Sequence, residues 1–288
     1  MVAILEDVAL ANTDLSLPRI LCLHGGGTNA RIFSNQCRVI KHHLKKSFRL
    51  VFCDAPYISK PGPDVITVYS EWGPFRSWVK AQPVDTNESN PFGTPYHRMH
   101  SVVMPAHEND ALEVVDNIET SIMDAMRVDD LSGATGEWAG LLGFSQGAKI
   151  AASVLLREQE RAKSLGGLHY GSFRFAILLA GQGPLVSLDH HTQAYFGREE
   201  EVKEALLELP TVHVHGLRDA GLRLHQEMRK RCCSTTSTVV VEWDGDHRVP
   251  IKTAHVNAVV TAVMKAYQRS KLYVTSDPDH EWRVMDGL

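Results

Sequence analysis

Short apolar runs alternate with amphipathic stretches along most of this chain. Residues 17–23 (LPRILCL) form one run, which stops at His24-Gly25-Gly26-Gly27. Others are 48–53 (FRLVFC), 138–144 (WAGLLGF), 173–180 (FRFAILLA), 211–215 (TVHVH) and 238–243 (TVVVEW). Runs of this length, bounded by turn residues, read as buried strands. Between them apolar residues return at helical spacing. Residues 29–44 form such a stretch, with Thr28 or Asn29 able to cap it, and 108–126 place Leu112, Val115, Ile118, Ile122 and Met126 on one face. The alanine-rich 146–157, then 199–209, 220–231 and 250–268 complete the set, the last opening on Pro250. Fully apolar strands alternating with helices predict a mostly parallel sheet covered on both faces. At 288 residues, with no internal repeat and no linker, one α/β domain is expected.

Residues 55–107 interrupt this rhythm. Pro56, Pro61, Pro63, Pro74, Pro83, Pro91, Pro95 and Pro105 punctuate them, with Trp72, Phe75, Trp78, Phe92 and Tyr96 between. Long connections in compact domains tend to be functional, so an insertion or lid lining a pocket is expected here. Residues 270–288 read as a polar tail.

Composition narrows the partners. Hydrophobic residues make up 43% and charged residues 22%, as in ordinary globular proteins, and the net charge of −4 offers nothing to nucleic acid or an anionic membrane. Five cysteines, with no C-x-x-C pair, suit a reducing, cytoplasmic setting. The first residues carry acids and no basic segment, unlike a secretory signal, and no apolar run is long enough to span a membrane. No metal or other cofactor is expected. His107-Glu108-Asn109-Asp110 lacks the second histidine of a zinc helix, and the pairs His42-His43 and His190-His191 do not share a helix face.

The chemistry centres on Gly143-Phe144-Ser145-Gln146-Gly147, a G-x-S-x-G entered by an apolar strand and left by an alanine-rich helix. Such a tight strand-to-helix turn lifts the serine hydroxyl above the carboxyl edge of the sheet, and glycines on either side avoid Cβ clashes. This is the nucleophile elbow of an α/β-hydrolase, in which an acid and then a histidine follow the serine in chain order. A serine hydroxyl needs a base to become a useful nucleophile. Asp219 follows the strand at 211–215, and His247 follows the strand at 238–243 in Asp244-Gly245-Asp246-His247. Both lie at the same sheet edge as Ser145, which makes Ser145, Asp219 and His247 the candidate triad. Asp244 and Asp246 compete for the acid role but suit turn formation, and Asp189 lies further from its strand. His213 and His215 fall inside a strand and are expected to be packed or hydrogen-bonded. The oxyanion donors expected are the N–H of Gln146 and that of Gly26, with Gly27 next, while His24 braces the glycine loop.

Taken together, LCLHGGGTNARIF, FCDAP, GPF, LLGFSQGAKIA, HVHGLRD and WDGDHRVP resemble the fungal serine hydrolases, over most of the chain from about 21 to 267. Within that family they are similar to the branch found in polyketide gene clusters, such as the hydrolase of the citrinin pathway. The resemblance implies an α/β-hydrolase with Ser145, Asp219 and His247 as triad. It also implies release of a polyketide acyl chain from the carrier-protein thioester of a synthase, through an acyl-Ser145 intermediate. The proline-rich stretch would then shape an apolar acyl pocket, with Gly27, Trp72 and Phe75 touching substrate. After the acid this chain reads Asp219-Ala220-Gly221, a departure from the Asp-x-x-Val/Ile usual in the family. Two other readings stand beside thioester release. One is a carboxylesterase for a small oxygen ester, and the other is a non-hydrolytic cyclase, lyase or binding protein on the same scaffold.

Overall fold

The computed structural model describes residues 14–80, 105, 108–164, 172–188 and 205–272. Six strands form one sheet in the order β2-β1-β5-β6-β7-β8, every neighbouring pair parallel. They are β1 (Arg19–Leu23), β2 (Arg49–Cys53), β5 (Trp138–Phe144), β6 (Phe175–Leu179), β7 (Thr211–Gly216) and β8 (Thr238–Trp243). A two-stranded antiparallel sheet joins β3 (Tyr57–Ile58) to β4 (Arg76–Ser77). The helices are α1 (Ala30–Gln36), α2 (Arg38–Leu44), α3 (Pro63–Tyr69), α4 (Glu108–Leu131), α5 (Gln146–Ser164), α6 (Leu222–Cys232) and α7 (Thr253–Lys271).

Strands β1, β2, β5 and β6 are largely apolar because each feeds two cores. Leu21 and Leu23 of β1 and Leu141 of β5 pack with Val114, Val115, Ile118 and Ile122 of α4, with α5, and with Met228 of α6. The alternate residues Ile20, Cys22 and Leu142 pack on the other face with Phe33, Ile40 and Leu44 of α1 and α2, and with Val256, Val259 and Val263 of α7. Side chains of a strand alternate between faces, so a sheet sandwiched by helices needs apolar residues at every position. The amino edge is tied electrostatically as well. Arg19 pairs with Asp129 (3.2 Å) and Asp130, and Arg49 with Asp129 (2.7 Å), holding the end of α4 beneath β1 and β2. Cations also suit a helix carboxyl end.

Several expected boundaries shift. The helix expected at 29–44 is two, bent at Cys37, so that Phe33 and Ile40 both reach the sheet. Asn29 supplies the cap, its side-chain oxygen accepting from the Ile32 N–H at 2.8 Å. Helix α4 runs on to Leu131 and buries Ala111 and Val114 where Leu112 was expected. The last helix starts at Thr253, not Pro250; Lys252 is extended and caps it. Of the helix expected at 199–209, residues 205–209 are not helical, and Leu207 instead bridges to Cys233 in parallel. Residues 199–204, Asp189, His190 and His191 lie outside the described residues, as do 273–288 of the expected tail.

The stretch at 55–107 carries structure that its sequence did not announce. Residues 55–80 fold into β3, α3 and β4, with Pro63 in the first turn of α3, where a missing N–H costs nothing. Residues 81–104, 106 and 107, which include the rest of the expected lid, lie outside the described residues. Among the described residues the five cysteines form no disulfide, and no helix is long and apolar enough to cross a membrane.

Candidate active site

The connections reverse direction between β1 and β5. From β1 the chain moves outward to β2, then returns to β5 on the other side. Open α/β sheets bind ligands at the carboxyl ends of the strands flanking such a reversal. Leu23 lies beside Gly143 in that register, so the glycine loop after β1 and the elbow after β5 are neighbours.

Ser145 is the residue between β5 and α5. Its φ is +55°, a left-handed conformation that a side chain tolerates poorly. Its N–H donates to Leu179 of β6 (2.9 Å), and its carbonyl accepts from Ala148 (3.1 Å) in the first turn of α5. The two elbow glycines are dictated by backbone proximity. A Cβ on Gly143 would run into the Gly147 carbonyl, and one on Gly147 into the Leu23 carbonyl. The turn is therefore wedged between its own helix and β1, which holds the serine in its strained form.

The glycine loop is braced from three sides. His24 is fully buried, and its Nδ1–H donates to the Gly25 carbonyl at 2.7 Å. Its Nε2 accepts the Ala55 N–H at 3.0 Å, which ties the loop after β1 to the loop after β2. Burial pushes this imidazole down to about 4, and the hydrogen-bond pattern fits the neutral ring. Trp78 is fully buried and donates its indole N–H to the His24 carbonyl (2.7 Å). An aromatic residue from the expected lid is thus part of the core and a support for the loop. Gly27 has φ +71° and donates its N–H to the Arg76 carbonyl (2.9 Å). That amide is committed to the β4 segment, so Gly26 is the better placed of the two as an oxyanion donor. Gly26 in turn lies against the side chain of Gln146, the first residue of α5, whose Oε1 accepts from the Ser77 hydroxyl (3.0 Å).

The candidate acid and base come from the next two strand ends. The loops after β7 and β8 are stitched together, with Leu217 N–H donating to Trp243 (2.9 Å) and Arg218 N–H to Gly245 (2.8 Å). This brings His247 to Asp219, and its Nδ1 lies 2.7 Å from Asp219 Oδ2. The other carboxylate oxygen accepts the Gly221 N–H at 2.8 Å. The Asp219-Ala220-Gly221 departure therefore makes a tight turn that orients the carboxylate. Asp244 and Asp246 instead pair with Arg218 (3.3 Å) and Arg248 (3.4 Å) at the surface. The His247 ring rests on Phe144 with centroids 4.9 Å apart, so the residue preceding Ser145 supports the candidate base.

Two sequence-designated residues lie apart from this cluster. Trp72 stacks beneath the Arg31 guanidinium (4.1 Å) on the wall of a cavity of about 500 Å³ whose lining comes from α1, α2 and β2 and excludes Ser145 and His247. Phe75 is half-buried beside the turn into β4. His213 and His215 are buried with rings 5.9 Å apart, and burial pushes them down to about 3 and 4.

The sequence reading missed His225. This histidine sits on the buried face of α6 with Met228 and Cys232, and its Nε2 lies 3.0 Å from Asp219 Oδ2. The one signal available was its position, a polar residue on the apolar stripe of an amphipathic helix soon after the candidate acid. Asp219, His225 and His247 could in principle hold a metal ion, since their donor atoms lie within 4.8 Å of one another. The hydrogen bonds among them account for the grouping without one.

The chain is similar to known proteins over most of its length. The chain is 47% identical to a "Probable esterase" of Aspergillus terreus, over 89% of this chain and 92% of that protein. It is 45% identical to the "Probable esterase azaC" of Aspergillus niger, over 90% and 88% respectively. Among solved structures it aligns with Arabidopsis thaliana SOBER1 at 19% identity and a TM-score of 0.45, over 87% of this chain and 99% of that one. Residues 14–259, which include the glycine loop, the elbow, Asp219 and His247, match the family described as Serine hydrolase (FSH1), and the chain belongs to that family of ester-cleaving enzymes.

Proposed function

We propose that Ser145, Asp219 and His247 form the catalytic triad, and that the enzyme releases a polyketide acyl chain from a carrier-protein thioester. The observation that carries the mechanism is the 2.7 Å Asp219–His247 contact, held at the sheet edge that also presents the strained Ser145. With Nδ1 bonded to Asp219, the His247 proton-transfer atom is Nε2. It takes the Ser145 proton as Oγ attacks the carbonyl carbon, then delivers that proton to the departing thiol. The Asp219 carboxylate stabilises the imidazolium formed in between. The N–H groups of Gly26 and Gln146 receive the developing oxyanion, each worth roughly 3–4 kcal/mol of transition-state stabilisation. Water, activated by the same histidine, then hydrolyses acyl-Ser145 and returns the free acid.

Support for a polyketide thioester comes from the resemblance of the HGGGTNARIF and GPF segments to the polyketide-cluster branch. The partner would then be the acyl carrier domain of a synthase. A second reading, cleavage of a small oxygen ester, is favoured by the relatives, which carry the name esterase. Hydrolysis of acyl-N-acetylcysteamine thioesters against oxygen esters of the same acyl groups separates the two. Thioester release predicts a clear preference for the thioester, and equal kcat/KM on both sets would remove it.

A further inference from the structure

We propose that His225 is a positioning residue for the acid of the triad, clamping the Asp219 carboxylate between α6 and the loop after β6. The proposal rests on the triad reading above.

Both ring nitrogens of His225 meet acceptors. Nδ1 lies 2.9 Å from the Gly181 carbonyl, and Nε2 lies 3.0 Å from Asp219 Oδ2. A carbonyl and an ionised carboxylate both accept, so each contact is one that a ring N–H can make. Both side chains are fully buried. A buried carboxylate is held in place by charge-assisted hydrogen bonds more firmly than by neutral ones. Asp219 Oδ2 therefore stands between two imidazoles, His247 on one side and His225 on the other, while Oδ1 is fixed by the Gly221 N–H.

The far end of the clamp matters equally. Gly181 follows Ala180, whose φ of +51° is left-handed, and the Ala180 N–H donates to Val214 of β7. Leu179, one residue earlier, accepts the N–H of Ser145 (2.9 Å). His225 thus links the carboxylate to the strand end on which the nucleophile's own backbone hangs. Misplacing a catalytic group by about an ångström can cost roughly 100-fold in rate. A residue that fixes the acid in this way should act on turnover and leave substrate affinity alone.

Two amides discriminate between the ends of the clamp. In His225→Gln the terminal amide nitrogen falls near Nε2 and can still donate to Asp219. In His225→Asn the amide nitrogen falls near Nδ1 and can still donate to Gly181, but nothing reaches Asp219. With p-nitrophenyl butyrate as substrate, we expect His225→Ala and His225→Asn to lower kcat about 10- to 100-fold at nearly constant KM. His225→Gln should recover most of that loss. The rate of Ser145 labelling by a fluorophosphonate should follow the same order. Thermal melts run alongside report folding; if His225→Ala does not fold, the Asn and Gln pair still decides. Wild-type kcat in His225→Asn, or Asn as active as Gln, would overturn the clamp. Asp219→Asn in the same series separates the failures. If Asp219→Asn is fully active the triad assignment itself fails, whereas an inactive Asp219→Asn beside a fully active His225→Asn removes only the clamp.

Discussion

The glycine loop with its elbow and the acid–base pair are built on opposite principles. The first half of the site is made of backbone. Its elbow glycines, Gly143 and Gly147, are dictated by main-chain atoms of β1 and α5 that leave no room for a Cβ, and its shape is held by carbonyls accepting from His24 and Trp78. The second half is made of side chains, with Asp219 collecting donors from His247, His225 and Gly221. Backbone geometry tolerates no substitution at a few positions and is indifferent elsewhere. Side-chain geometry can be tuned in small steps, which predicts a graded response to mutation in one half and an abrupt one in the other.

The sharpest break is removal of the proposed nucleophile. Ser145→Ala should lower kcat by about 10⁶-fold while leaving the melting temperature close to wild type, and residual activity within 10³-fold of wild type would mean another group attacks. Asp219→Asn tests the side-chain half. An amide in this position favours the wrong histidine tautomer, so kcat should fall about 10⁴-fold with the fold retained. Trp78→Phe tests the backbone half without touching a reacting group. It leaves the buried His24 carbonyl without its indole donor, which should cost about 1–3 kcal/mol of stability in urea unfolding. Unchanged stability would mean the loop is held by His24 alone.

The gentlest probe is acid. His24, His213 and His215 are held neutral by burial, at about 4, 3 and 4 against an ordinary value of 6.5. The unfolded chain therefore takes up protons first as pH falls. Stability should decline from about pH 6.5 down to about 4, and His213 extends the decline to about 3. His213→Leu should make the urea midpoint fall less steeply across that window, and an unchanged slope would show that His213 is not a neutral ring in the folded protein.

What the sequence revealed follows the same division. Ser145 was legible because a strand-to-helix turn with obligatory glycines is a local event, written in five consecutive residues. The parallel sheet was legible because two-faced burial demands uninterrupted apolar runs. Asp219 and His247 could be placed at strand ends, but their meeting depends on a stitch between two loops that no short pattern encodes. His225 and Trp78 were hidden for a stronger reason. Each serves the site from a buried position, where a polar contact looks like core packing until the partner's location is known. The bend at Cys37 and the late start of α7 at Thr253 were hidden as well, since apolar spacing marks a buried face and not the exact point where a helix turns or begins.

Gln146 has a consequence that reaches past catalysis. Its backbone begins α5 beside the nucleophile, while its side chain fills the space above Gly26 and receives the Ser77 hydroxyl. Positions 26, 77 and 146 are thus an exchange unit. A bulkier residue at 26 must push the end of the Gln146 side chain aside, and a shorter 146 strands the hydroxyl at 77. Anyone grafting the loops of this enzyme onto a relative should move the three together, because a chimaera that splits them would inherit a collision on one side and a hole on the other.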